Sequence, residues 1–62
     1  MDQSDVDYCA RSIKERAEKT DEYGRSILMD VAAGHIKFFQ LEGIAMDMDA
    51  RYKFLQDCGL MK

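Results

Sequence analysis

Ser26-Ile27-Leu28-Met29-Asp30-Val31-Ala32-Ala33-Gly34-His35-Ile36-Lys37-Phe38-Phe39-Gln40-Leu41-Glu42 is the stretch that decides the fold. At 100° per residue its apolar side chains, from Ile27 through Val31, His35 and Phe38 round to Ala32, Ile36 and Met29, fill an arc of about 200°. A peripheral helix needs only about 100° of apolar surface to cover one core. The pattern therefore predicts a helix over residues 26–42 that touches apolar surface on two sides. Ala32-Ala33-Gly34 in its middle points to a tight crossing with another helix, because small residues let two backbones approach closely.

Downstream, Gly43 suits the position just past this helix, with Ile44 folding back on its last turn. A third helix is expected over residues 47–58. Asp47 with Arg51 and Asp49 with Lys53 are acid-before-base pairs four residues apart, the favoured order on a helix. Met48, Phe54, Leu55 and Cys58 share one face, Arg51 is expected to lay its stem along that face and pair with Asp47, and Gly59-Leu60 gives a Schellman-like end.

Upstream, a first helix is expected over residues 4–22, with Ser4 as N-cap and Asp5 and Asp7 placing negative charge in the first turn. Val6, Ala10, Ile13 and Ala17 recur at steps of four and three, with Cys9 beside them. Arg11, Lys14, Glu15, Glu18 and Lys19 occupy the opposite, solvated face. The join holds two punctuation marks, a stop signal at Gly24 and an N-cap candidate at Ser26, so a short turn is expected there. The alternative is one helix from residue 4 to 42, since the first stripe continues in phase through Gly24 to Ile27, Val31 and Phe38. So long a helix could bury its faces only against a second chain.

The expected fold class is all-α: a single domain over residues 1–62, built as a small helical hairpin or three-helix domain and associating as a dimer. At 62 residues a chain buries only about 60% of its unfolded surface, so self-association is one of the few devices left to stabilise it. Two distant cysteines and an opening without a basic n-region or apolar h-region fit a reducing, cytoplasmic setting with buried thiols. No apolar run approaches the ~20 residues that span a bilayer.

Net charge is −3. Eight acids against five bases lie in residues 1–31, and four against four in residues 32–62. Neither half supplies the clustered basic face on which phosphate binding rests, so nucleic acid is not the expected partner. The competing reading is a dimeric DNA-associated factor using Arg11, Lys14, Arg16 and Lys19, a face that Glu15 and Glu18 interrupt.

Catalytic and metal-binding patterns are not found. His35 is the one histidine, set in the widest apolar arc, and Glu42 lies about 10 Å of helix rise away, too far to act with it as an acid–base pair. Cys9, His35 and Cys58 lack the close pairing of a structural zinc site. Asp47-Met48-Asp49 opens like a calcium loop, but Tyr52 and Cys58 stand where that loop needs Gly and Glu. No metal, cofactor or catalytic residue is expected. The candidate interface is Leu28, His35, Phe38 and Phe39, joined by Met46 and Met48, since methionine adapts to irregular partner surfaces.

The opening Asp2-Gln3-Ser4-Asp5-Val6-Asp7-Tyr8-Cys9, together with the small size and the lack of an enzymatic motif, resembles the short helical proteins encoded in the exo to xis region of lambda-like bacteriophages, including Shiga-toxin-converting phages. The resemblance implies a non-enzymatic regulator of phage development and of the choice between lysis and lysogeny, acting in the host cytoplasm. From residues and resemblance together, the expected function is a small regulatory or adaptor protein that binds itself and another protein.

Overall fold

In the computed structural model, which describes residues 1–61, three α-helices follow one another: α1 (Gln3–Glu18), α2 (Glu22–Leu41) and α3 (Met48–Asp57). There is no strand among the described residues. The domain measures 33 × 19 × 18 Å.

Each helix begins at an aspartate. Asp2 caps α1, accepting from the Ser4 and Asp5 amides, while the Asp5 carboxylate accepts from the Asp2 amide and completes a reciprocal capping box. Ser4, the expected cap, lies inside the first turn because Asp2 stands two residues earlier with a carboxylate that takes the Ser4 and Asp5 amides and starts the helix sooner. Asp21 caps α2 by accepting from the Gly24 amide at 2.9 Å, and Asp47 caps α3 by accepting from the Ala50 amide at 2.8 Å.

Two of the helices end on glycine, as expected. Gly43 has φ +89° and Gly59 φ +74°. Beyond them the Ile44 amide donates to the Phe39 carbonyl at 2.9 Å, and the Leu60 amide to the Leu55 carbonyl at 3.1 Å. These are Schellman closures, which fold Ile44 and Leu60 back onto the core.

The break between α1 and α2 differs from both expectations. The chain is neither one helix from 4 to 42 nor turned at Gly24–Ser26. It turns at Lys19–Asp21, so α1 stops short of residue 22 and α2 starts four residues before Ser26. Gly24 sits in the first turn of α2. A Cβ there would collide with the Thr20 side chain, so this glycine serves a close approach rather than a helix stop.

The core is assembled around α1, which packs against both α2 and α3. Its whole predicted stripe, Val6, Ala10, Ile13 and Ala17, is buried. Ala10 and Ala17 present little bulk, which lets α2 lay Leu28, Ala32, Ile36 and Phe39 close against them. Phe39 meets Phe54 of α3 edge-to-face, with ring centroids 5.3 Å apart and planes at 85°, a preferred aromatic geometry. Met46 and Cys58 close the remaining sides.

On α3, Phe54 and Cys58 are buried and Leu55 half-buried, but Met48 is exposed. The expected Asp47–Arg51 pair gives way to other partners. Asp47 is committed to its cap, and the Arg51 Nε donates to the Met46 carbonyl at 2.8 Å. Arg51 is exposed. The ion pair of α3 is Lys53 with Asp57 at 3.3 Å, both solvated, a geometry of little energetic weight. No helix is long and apolar enough to cross a membrane among the described residues.

Candidate interaction surface

The two-sided character of α2 survives in three dimensions, with the two sides put to different uses. Leu28, Ala32, Ile36 and Phe39 face α1 and α3 and are buried. Round the helix from them run Ile27, Val31, Gly34, Phe38 and Leu41, at successive steps of four, three, four and three. Ile27 is 49%, Phe38 46% and Leu41 86% exposed. Val31 is half-buried at the boundary with the core, and Gly34 is exposed.

Four-three alternation has an average period of 3.5 residues. On a helix of 3.6 residues per turn it produces a nearly straight seam, the pattern by which one helix packs along another. From Ile27 to Leu41 the seam covers about 21 Å of helix. Covering Ile27, Phe38 and Leu41 would be worth on the order of 1–2 kcal/mol for each side chain.

Gly34 lies at the centre. A Cβ placed there would meet nothing within 4 Å, so the fold of this chain does not require glycine at that position. Yet glycine within a helix costs about 1 kcal/mol relative to alanine. The expected tight crossing at Ala32-Ala33-Gly34 therefore divides. Ala32 is buried in the crossing with α1, whereas Ala33 and Gly34 face outward. Val31, Gly34, His35 and Phe38 line an open groove of about 380 Å³ on this face.

His35 sits half-buried on the flank of the seam next to the core. Its Nδ1 lies 2.8 Å from the Val31 carbonyl, one turn back. A carbonyl can only accept, so Nδ1 carries the hydrogen. The ring stands 6.0 Å from that of Phe39, tilted by 57°. These contacts fix the imidazole as a wall of the groove. On the opposite flank Asp30 and Lys37 are both exposed.

Of the six candidate interface residues, the structure leaves Phe38 and Met48 exposed and His35 half-exposed. Leu28, Phe39 and Met46 are corrected: each is in the core, with Phe39 fully enclosed. Two short neighbours are not expected to shield the whole arc, but the small side chains of α1 let α2 sink far enough to bury Leu28 and Phe39, while Met46, in the segment before α3, folds into the same core. Met48 stands at the start of α3, outside the seam. Ile27, Val31, Gly34 and Leu41 also belong to the surface: the periodicity puts Ile27 and Val31 in the wide arc without marking them as interface residues, and it passes over Gly34 and Leu41. Their four-three spacing was the available signal.

The thiols are not poised for nucleophilic work. Burial, with Asp57 and Cys9 adding to it, pushes the Cys58 thiol up to about 12, and burial followed by the charge of Asp5 raises Cys9. A thiol is reactive as its thiolate, so both groups are damped. No group of three or more potential metal ligands occurs among the described residues. The basic side chains Arg11, Lys14, Arg16 and Lys19 are exposed on α1 and interleaved with exposed Glu15 and Glu18.

Comparison with known proteins finds no family model that matches this chain, and no match among curated proteins or solved structures.

Proposed function

We propose that this chain is a non-enzymatic regulatory or adaptor protein that works by binding protein through the outward face of α2. The observation that supports this reading is the seam Ile27-Val31-Gly34-Phe38-Leu41, an apolar row at helix-packing spacing that the chain's own core leaves open. Three large apolar side chains aligned on one helix are a recognition feature rather than scattered surface carbon. With the resemblance of the opening residues to small phage proteins of the exo to xis region, the proposal extends to the regulation of phage development within the bacterial cytoplasm.

The test is quantitative capture of protein from bacterial lysate with the wild-type chain, with Phe38→Asp and with Glu15→Ala, each shown to be helical by circular dichroism. Phe38→Asp should lose the captured protein while Glu15→Ala, on the solvated face of α1, keeps it. The same captured set with all three chains would overturn the reading.

A further inference from the structure

Resting on that binding face, we infer that one occupant of the seam is a second copy of this chain, with the two α2 helices antiparallel and crossing at Gly34. The argument comes from the symmetry of the seam about that glycine. Val31 and Phe38 lie three residues before and four after Gly34, and Ile27 and Leu41 lie seven before and seven after it. Turning a second α2 end for end about Gly34 sets Val31 beside the partner's Phe38 and Ile27 beside the partner's Leu41. The Val31–Phe38 layers then pair a smaller side chain with a larger one, the Ile27–Leu41 layers pair two of equal size, and glycine meets glycine where the backbones come closest.

Charge selects this arrangement over others. Asp30 and Lys37 occupy the same flank of the seam, four residues before and three after Gly34. The antiparallel pairing brings Asp30 opposite the partner's Lys37 and Lys37 opposite the partner's Asp30, two complementary pairs from one chain's sequence. A parallel pairing would set Asp30 level with the partner's Asp30 and Lys37 with the partner's Lys37, and its cross-seam neighbour for Asp30 would be the partner's His35. A foreign helix needs no such self-complementarity. It requires only a matching apolar row.

A seam of five positions is small beside the ~800 Å² per partner of a standard interface. Association is therefore expected with a dissociation constant on the order of 10 µM.

Sedimentation equilibrium of the full chain from about 0.5 to 500 µM, a range that extends well below and above this constant, tests the proposal. The wild type should pass from monomer to dimer. Phe38→Asp should remain monomeric with unchanged helicity. Asp30→Lys and Lys37→Asp alone should each weaken association about tenfold, by making both flanking pairs repulsive, and the double exchange should return to within about threefold of the wild type. A wild type monomeric throughout, or a double exchange no better than the single ones, overturns the antiparallel dimer. If the wild type is monomeric while lysate capture still depends on Phe38, the binding face stands and only its assignment to a second copy falls.

Discussion

Helices α1 and α2 carry apolar rows of similar length but opposite fate. The row on α1 is narrow, and all four members, Val6, Ala10, Ile13 and Ala17, are buried within the chain. The row on α2 is about twice as wide, and the chain covers only the half that faces α1. The difference teaches that width, more than apolar content, separates a helix serving one core from a helix with surface left over. The adjacent residues Phe38 and Phe39 state it most sharply, one 46% exposed and the other fully enclosed.

That pair gives the largest contrast to test. Phe39→Ala should cost about 3–5 kcal/mol, enough to leave a domain of this size largely unfolded. Phe38→Ala should cost under about 1 kcal/mol to the folded monomer, because a half-exposed ring leaves little cavity behind. Urea unfolding of the two variants below the dimer concentration compares them directly. Equal losses would mean that α2 has no covered and uncovered halves.

The same contrast applies to small residues. Ala32→Leu forces bulk into a closed crossing and should destabilise by about 1–3 kcal/mol. Gly34→Ala should stabilise the monomer by about 0.5–1 kcal/mol, since its Cβ enters open space on an otherwise regular helix. A destabilised Gly34→Ala monomer would show that the glycine serves the chain's own fold.

The contrast between covered and open sites extends to the thiols. With the Cys58 thiol pushed up to about 12 from an ordinary value of 9.0, the unfolded chain releases this proton at lower pH than the folded one. The contribution to stability is complete below pH 9 and declines as pH rises from 9 towards 12. Alkylation at pH 8 should label half-buried Cys9 well before Cys58, and equal rates would contradict the buried placement of the second thiol.

Much of the fold was legible in the residues. The α1 stripe follows from its four-three spacing alone, and Gly43-Ile44 and Gly59-Leu60 announce their helix ends because only a left-handed residue closes those turns. The first join is not legible in the sequence because Gly24 has the chemistry of a stop signal, while the structure uses its missing side chain to let Thr20 come close. The expected Asp47–Arg51 pair fails for a related reason, since a carboxylate at a helix start has a nearer partner in the Ala50 amide. The candidate surface was half legible. Periodicity locates the wide arc on α2, but which side sinks into the core depends on how closely the alanines of α1 allow the helices to approach. Leu28 and Phe39 are therefore indistinguishable from Phe38 in the sequence.

The most direct measurement is a two-dimensional amide spectrum of the labelled chain, followed as protein concentration rises and again as a captured protein is added. Resonance changes should concentrate at Ile27, Val31, Gly34, Phe38 and Leu41 and leave the solvated face of α1 unmoved. Changes centred on Arg11, Lys14 and Glu15, or none on α2 while a partner demonstrably binds, would contradict the assignment of the open half of this helix as the recognition surface.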